Sequence, residues 1–280
     1  MACALLATVV WSGSFVTSRG LHDSVPPVQH AFWRWVIALI AVAPFGARQA
    51  WRQRRLLRRH ARHVLGASAL GVAVYNTLVN QAGLTTPAAT MGMIMAASPV
   101  LMAVFERLGG VRLGARRTTG LLIACAGVAL LVGGGTGFPS GGLWMSAAAC
   151  CFAGYSALLR RGPAELSGTG FLFTTFLIGT VLLLPVQAAS LLLQGGFTPA
   201  PGTVLPLLYG GLASSAVAFF AWNKAVALIG ATRAGIVYHL QPVCAAVLSW
   251  AVLGEDTTGT HLLCMALILG GVVLGAGASG

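Results

Sequence analysis

Charged side chains are scarce in this chain of 280 residues: Asp, Glu, Lys and Arg make up 8% of it, whereas hydrophobic residues make up 57%. Soluble domains carry about a quarter charged residues, so this composition excludes a globule with a fully water-exposed surface. Acidic residues are the scarcest class, at five against 17 basic ones. With a mean hydropathy of +0.84, the chain is expected to fold in a lipid bilayer.

The sequence also lacks the clusters that catalysis and metal binding need. Its six cysteines all fall in apolar runs, with no CxxC motif and no histidine at ligand spacing, so they are predicted to be buried free thiols. The acidic residues sit at the ends of apolar runs or between them, and no Ser/His/Asp set lies within a run. We therefore expect no metal, no cofactor and no enzymatic activity.

Long apolar runs are what the chain does contain. We count about ten, each close to the roughly 20 residues that cross the hydrocarbon core as a helix. The predicted fold is an all-α integral membrane protein. Its predicted spans are residues 2–20, 30–47, 64–83, 87–108, 117–135, 141–160, 170–193, 203–225, 231–253 and 260–278.

The two halves of the chain repeat each other. Residues 80–104 align without a gap to residues 223–247, at an offset of 143 residues. We therefore predict a first repeat at 1–137 (spans 1–5) and a second at 138–280 (spans 6–10). In membrane proteins such duplication is typical of transporters, whose substrate site lies where the repeats meet.

The odd number of spans per repeat determines how the two repeats are oriented relative to each other in the membrane. Five spans bring the second repeat into the membrane from the opposite side, so the repeats are predicted to be inverted around a central cavity. Inverted repeats provide two nearly equivalent conformations, one open to each side, as alternating access requires.

The basic residues give a predicted orientation. With ten spans, fifteen of the 17 lie in connections on one side, most densely at 48–62. The positive-inside rule then places both termini in the cytoplasm, with the protein in a bacterial inner (plasma) membrane. Because the basic residues lie in connections next to membrane spans, their positions argue against nucleic acid as a partner. The cluster at 48–62 is either a topology anchor alone or also a contact for anionic membrane lipids.

Spans 4 and 9 are the best-matched pair. Pro99 and Pro242 lie near their midpoints, where a missing backbone hydrogen bond is typical of a hinge or gate. Helical spacing predicts two facing cavity walls. The span 4 wall comprises Met91, Met95, Ser98 and Met102, and the span 9 wall includes Tyr238 and Gln241. Packing alone is the competing interpretation of the methionines.

Two polar residues of span 9 are predicted to act inside the membrane. Gln241 is an amide at mid-membrane depth, where a functional or inter-helix hydrogen bond is the default expectation. His239 lies about 160° around the helix from Gln241, so both cannot face one cavity. His239 is either a proton relay or ligand contact, or a hydrogen-bond donor to a neighbouring carbonyl.

Spans 3 and 8 supply the next candidates. Tyr75, Asn76 and Asn80 follow one another along span 3, and Asn80 matches an asparagine in span 8 that is flanked by Trp222 and Lys224. Lys224 is the only lysine of the chain. It either extends into the lipid headgroups or binds an anionic group of the substrate.

Span 1 completes the candidate binding residues, and the centre of span 8 supplies two further polar residues with a predicted structural role. Trp11 and Ser14 lie around mid-depth of span 1. Ser214 and Ser215 lie near the centre of span 8, and we predict that they hydrogen-bond to neighbouring helices.

Arg34 lies about one turn inside span 2 and has no basic counterpart in the second repeat, where Thr175 takes its place. It either pairs with Asp23, extends towards the headgroups, or attracts anionic groups at the cavity mouth.

Spans 5 and 10 are rich in small residues: Gly120, Ala124 and Gly127 in the former, Gly271 and Gly275 in the latter. Small residues permit close helix contact. These spans are therefore predicted to be scaffold or a homodimer contact rather than binding surface.

Several stretches resemble the EamA-type, ten-span members of the drug/metabolite transporter superfamily, along essentially the whole chain. They are WSGSFVTSRG (11–20), FWRWVIALI (32–40), ASPVLMAVFERL (97–108), WNKA (222–225) and GATRAGIVYHLQPVCAAVLSWAVLGE (230–255). The resemblance implies a cavity lined by spans 1–4 and 6–9, peripheral spans 5 and 10, and export of small metabolites.

The predicted function is therefore export of small metabolites by alternating access, with neutral or aromatic amino acids as the favoured substrates. Phosphorylated or nucleotide-linked metabolites, and cationic drugs, are the alternatives. Because no carboxylate is expected at mid-membrane, proton-coupled transport would require His239 or Lys224, and facilitated export remains the competing mechanism.

Overall fold

The computed structural model describes residues 1–96, 98, 101, 114–133, 140–160, 162, 165, 168–229 and 237–276, and every regular element within them is helical. The first half contains α1 (Ala2–Gly20), α2 (Pro27–Arg52), α3 (Arg54–Arg59), α4 (Ala61–Ser68), a first π-helical segment (Ala69–Val74), α5 (Tyr75–Gly83), α6 (Ala88–Ala96) and α7 (Ala115–Gly133). The second contains α8 (Ser140–Arg160), α9 (Gly168–Gln194), α10 (Pro201–Leu208), a second π-helical segment (Tyr209–Val217), α11 (Ala218–Ile229), α12 (Gln241–Leu253) and α13 (Gly259–Ala276).

Local chemistry accounts for several helix ends. Helices α2 and α10 begin with a proline in the first turn, where the missing N–H costs nothing because that group has no helical acceptor. Helix α12 ends at Gly254, whose φ of +67° is a left-handed conformation that glycine adopts without steric cost.

Within the described part of the chain, four helical stretches are long and apolar enough to cross a membrane: Pro27–Arg52, Ser140–Leu159, Gly168–Gln194 and Pro201–Trp222. The side chains are distributed as a bilayer requires. Leu192 and Leu193 are 88% and 85% exposed, whereas Gln29 and Ser12 are fully buried. An apolar exterior around polar interior groups matches a lipid surrounding rather than water.

Helix α1 lies at the centre of the arrangement, against α12, α11 and the second π-helical segment. Helix α2 packs along α9, and α8 packs against α5. Most of the described helices therefore surround a common interior in which the candidate site lies.

The two π-helical segments each interrupt a longer run of α-helix, the first between α4 and α5 and the second between α10 and α11. Their wider turn changes the direction in which successive side chains project, and such segments are frequent at functional sites.

Helices α7 and α13 contact each other through small residues. A Cβ atom at Gly271 would lie 2.5 Å from the carbonyl oxygen of Gly120 and 2.6 Å from the nitrogen of Ala124, and a Cβ atom at Gly127 would lie 2.9 Å from Ile268 Cγ1. Of the small residues expected to serve a scaffold or a homodimer, Gly120, Ala124, Gly127 and Gly271 thus lie in a contact within the chain, where they allow two backbones to approach.

Candidate functional site

A cavity of about 120 Å³ lies between the central helices. Six residues predicted to bind substrate line it: Trp11, Ser14, Tyr75, Asn76, Tyr238 and Gln241. The rest of the lining is Phe15, Arg34, Trp35, Gly71, Val72, Val79, Phe152, Tyr155, Phe176, Ser214, Ser215 and Phe219. Half of these 18 described lining residues are aromatic, and the others include one cation, two amides and three serine hydroxyls.

Arg34 is the cation of this wall and is only 7% exposed. Its Nη1 donates to Ser14 Oγ at 2.6 Å, its Nη2 to Ser214 Oγ at 3.1 Å, and its Nε to Ser215 Oγ at 3.2 Å. The pair with Asp23, one of the three alternatives for Arg34, is not seen among the described residues, and the Asp23 carboxylate lies 3.0 Å from His22 Nε2. Arg34 thus ties α2 to α1 and to the second π-helical segment.

The second π-helical segment explains how two consecutive serines reach one guanidinium. Ser215 Oγ donates to the Gly210 carbonyl five residues earlier, as the wider π turn allows. A Cβ at Gly211 would lie 2.5 Å from Ile37, so its missing side chain lets α2 approach this segment. The prediction that Ser214 and Ser215 bond to neighbouring helices is confirmed by their bonds to Arg34.

Trp11, Trp222 and Tyr238 form an aromatic cluster at one end of the cavity. The ring centroids of Trp11 lie 5.4 Å from those of Trp222 and 5.9 Å from those of Tyr238, and the last two are 5.7 Å apart. Trp11 Nε1 donates to the Ser214 carbonyl at 3.0 Å. Trp11 and Tyr238 line the cavity, and Trp222 contacts both rings without being one of the described lining residues.

Regular helix is interrupted just before Gln241. Val237 and Tyr238 are helical, a turn follows at His239 and Leu240, and α12 starts at Gln241 with Pro242 in its first turn. The sequence predicted one continuous helix with a loosened middle, whereas the described residues contain a new helix start. Pro242 favours that start because it needs no N–H acceptor. Pro99, its predicted counterpart, lies outside the described residues.

Gln241 is 2% exposed and belongs to the cavity wall. Its backbone carbonyl accepts a hydrogen bond from Ser12 Oγ at 3.1 Å, which fixes the start of α12 against α1. Its side-chain Oε1 is buried and has no hydrogen-bond partner within the described part of the chain. His239 is not among the cavity-lining residues, and its Nδ1 is likewise buried without a partner there.

Asn80 lies away from the cavity, where it joins three elements. Its Oδ1 accepts from Ser18 Oγ at 2.8 Å and its Nδ2 donates to the Pro27 carbonyl at 3.1 Å. Asn76 does line the cavity, and its Nδ2 donates to the Val72 carbonyl at 3.3 Å.

The other predicted residues also lie outside the cavity wall. Met91, Met95 and Ser98 are fully buried, and the two methionines pack in a cluster with Phe15. Lys224 is exposed. Helical spacing placed the methionines on one stripe, but neighbouring helices cover that stripe, so packing is the better interpretation of it.

Substituting leucine for Met91 or Met95 is expected to leave the substrate profile unchanged. The exchange conserves volume in a packed interior and costs less than about 1.5 kcal/mol. Relative efflux rates of several amino acids from liposomes measure the profile. A change in their order in either variant would place these methionines at the substrate.

The arrangement defines a class: a helical membrane protein whose halves enclose a polar and aromatic cavity. The profile of the EamA-like transporter family matches residues 1–133 and 139–276, so the chain belongs to that family. It is a membrane transporter rather than an enzyme, as the sequence predicted.

Several curated proteins resemble the chain over most of both lengths. A protein of Streptantibioticus cattleyicolor described as a probable terminal-alkyne amino-acid exporter is 29% identical, covering 97% of this chain and 91% of that protein. The uncharacterized transporter YdfC of Bacillus subtilis is 27% identical, covering 94% and 86%. The uncharacterized inner membrane transporter YedA of Escherichia coli K12 is 24% identical, covering 95% and 87%.

A solved crystal structure has the same fold. It superimposes with a TM-score of 0.66 at 24% identity, covering 98% of this chain and 94% of the other.

Arg34 is one of the lining residues that were not among the predicted binding residues. The sequence did contain a signal for its position, because a basic residue inside a span is rare and usually faces an interior. Its position near the span end left three alternatives open: a pair with Asp23, extension towards the headgroups, or an anion contact at the cavity mouth.

Proposed function

We propose that this transporter exports small metabolites, with neutral or aromatic amino acids as substrates, by alternating access through the cavity. The observation that carries the proposal is the composition of the cavity wall. Arg34 and Gln241 supply polar contacts in an enclosure of which half the lining residues are aromatic, and small-molecule sites typically combine a few polar groups with such an apolar and aromatic wall.

The proposed architecture is ten spans in two inverted repeats, residues 1–137 and 138–280. Matching contacts in the two halves support it. Helix α1 lies against the second π-helical segment and α11, and α8 lies against the first π-helical segment and α5. Likewise α2 touches the second π-helical segment and α9 touches the first. An exchange of halves preserves these neighbours, as a two-fold relation requires.

The proposed location is a bacterial inner membrane, with both termini in the cytoplasm. The basic residues clustered on one side of the predicted spans support this orientation. Helix α3, with the sequence RRLLRR, lies in that cluster, immediately after α2. The relative YedA is itself described as an inner membrane transporter.

Amino acids are favoured over the other substrate classes on charge and size. The buried cation Arg34 opposes a cationic drug in the same space. The cavity of about 120 Å³ is smaller than the roughly 300–1,000 Å³ of pockets for drug-sized ligands, which disfavours nucleotide-linked substrates in this conformation. The relative described as a probable exporter of a terminal-alkyne amino acid points the same way.

Efflux from liposomes tests the proposal. Purified protein is reconstituted, and the release of labelled Phe, Trp, Thr and Met is followed with and without a pH gradient. Saturable efflux of at least one amino acid is expected. Efflux that is indifferent to the gradient would identify a facilitator, and a requirement for the gradient would direct attention to His239 as proton carrier. Absence of any amino-acid flux would contradict the substrate class.

A further inference from the structure

We propose that Arg34, with Ser14 and Ser214, is the receptor for the carboxylate of the substrate, and that Gln241 Oε1 accepts a hydrogen bond from its ammonium group. The cavity would then select zwitterionic amino acids over amines, amides and simple carboxylic acids. This inference rests on the proposed function and gives it a recognition chemistry.

The charge of Arg34 has no counter-ion in the described structure. A guanidinium stays protonated in proteins, and its three acceptors are neutral hydroxyl groups. None of the described carboxylates pairs with it: Asp23 bonds to His22, Glu255 bonds to Arg19, and the other two are exposed. A buried cation without a counter-ion is costly. An anionic group that enters the cavity would therefore gain from this charge.

The hydrogen-bond donors around Arg34 also suit an anion. Three of its five N–H groups are used, which leaves two without an acceptor in the described residues. Ser14 and Ser214 accept from Arg34, and neither hydroxyl donates to another described residue. Ser215 differs, because it donates to Gly210. Two N–H groups and two O–H groups thus remain for a ligand, and a carboxylate offers about four lone-pair positions.

The cavity wall also contains a polar group that favours a cationic ligand group over an anionic one. Gln241 Oε1 is a buried acceptor without a described partner, and Gln241 shares the cavity wall with Arg34. Leaving a buried acceptor unpaired is unfavourable, and an ammonium group would satisfy it. Donors around a cation and a neutral acceptor elsewhere in one small cavity match the two charged groups of an α-amino acid. The aromatic wall is left for its side chain.

Three probes separate the two contacts. L-phenylalanine carries both charged groups, L-phenylalaninamide lacks the carboxylate, and 3-phenylpropionate lacks the ammonium group. Their equilibrium binding is measured by quenching of tryptophan fluorescence, since Trp11 faces the cavity. Efflux of L-phenylalanine from liposomes is measured in parallel. The wild-type protein is expected to bind L-phenylalanine more tightly than either analogue.

Arg34→Gln is expected to weaken binding of L-phenylalanine and 3-phenylpropionate by roughly 10- to 100-fold, as for a lost charge-assisted hydrogen bond. Binding of L-phenylalaninamide should stay unchanged. Gln241→Leu should give the converse pattern: weaker binding of L-phenylalanine and its amide, and unchanged binding of 3-phenylpropionate. Arg52→Gln, at the exposed end of the same helix, is the matched control and should change none of the three.

Equal weakening of all three probes by Arg34→Gln would overturn the inference, because a purely structural tie between helices predicts that result. Undiminished binding of 3-phenylpropionate would overturn it as well. If Arg34→Gln does not fold, Ser14→Ala keeps the charge and removes one donor. Ser14→Ala should weaken the two carboxylate probes and not the amide, and any other pattern counts against the inference.

The parallel efflux measurement separates this inference from the proposed function. Wild-type protein that binds 3-phenylpropionate through Arg34 but moves no amino acid would contradict amino-acid export and leave the carboxylate receptor standing. Amino-acid efflux that persists in Arg34→Gln at the wild-type rate and affinity would contradict the carboxylate receptor and leave amino-acid export standing.

Discussion

Replacing Gly271 with leucine is expected to destabilise the protein by about 3 kcal/mol, near the upper end of the usual cost of overpacking. Even the first carbon of a side chain at this position would lie 2.5 Å from the carbonyl oxygen of Gly120 and 2.6 Å from the nitrogen of Ala124. Both neighbours are backbone atoms, so they cannot rotate away as a side chain could. Helices α7 and α13 would have to separate along their contact.

The measurement is thermal unfolding in detergent, followed by the loss of the monodisperse peak. A cost of about 3 kcal/mol corresponds to a fall in the apparent Tm of roughly 6–12 °C, by the scaling for large single domains. Gly270→Leu is the matched control, because a Cβ at Gly270 meets no atom within 4 Å. Both variants replace a glycine with leucine, and the two positions are adjacent on the same helix. Equal Tm values for the two variants would show that α7 and α13 do not pack through Gly271.

Glu255→Gln is expected to open the cavity more readily towards the side of the membrane where Glu255 lies. The Glu255 carboxylate joins three elements: its Oε1 pairs with Arg19 Nε at 3.0 Å, and its Oε2 accepts from the Ala88 backbone N–H at 3.0 Å and from the Ser249 hydroxyl. Ala88 begins α6, where a carboxylate also suits the helix dipole. Separation of α1 from α6 or α12 on this side would break these bonds.

The amide keeps the shape of the side chain and removes its charge. Arg19 would retain its bonds to the carbonyls of Gly83 and Leu84, at 3.1 and 3.0 Å, but would lose its carboxylate partner. Glu255 and Arg19 are both partly exposed, so we expect a shift of about 1–2 kcal/mol in the opening equilibrium, or roughly 5- to 30-fold.

Thiol labelling measures this opening. Tyr75→Cys places a thiol in the cavity wall, in a background whose six native cysteines are replaced. A membrane-impermeant maleimide added from the Glu255 side should label this thiol faster in Glu255→Gln. Asp256→Asn removes the charge of the neighbouring, exposed carboxylate and should leave the rate unchanged. Equal acceleration by both variants would argue against a specific closing role for Glu255.

The sequence was a good guide wherever the signal was local. Apolar runs predicted the helices, and the bounds of α1 and α8 agree with them within a residue or two. The polar pair Ser214 and Ser215 was expected to bond to other helices, because buried hydroxyls in a membrane need partners. Such inferences depend on the composition of a segment and on the depth of its residues in the membrane, and both follow from that segment alone.

The sequence was a poorer guide to which face of a helix meets the cavity. Met91 and Met95 form a regular stripe, but α12 and α8 pack over α6 and bury it. For Arg34 the sequence left three alternatives, a pair with Asp23, extension towards the headgroups or an anion contact at the cavity mouth, whereas the second π-helical segment brings two serines to it in the interior. Both outcomes depend on contacts with distant segments, which helical periodicity cannot report.

The sequence by itself determined that this chain is a helical membrane protein, because a bilayer admits only segments that satisfy their own backbone hydrogen bonds and present apolar side chains. It also supplied the polar residues from which a site could be built. Only the tertiary structure decided that Arg34, Ser14 and Gln241 share one cavity while Asn80 and Lys224 do not. The physical reason is that a buried polar group takes whichever partner the packing of neighbouring helices brings within hydrogen-bond distance, and that packing is a property of the whole fold.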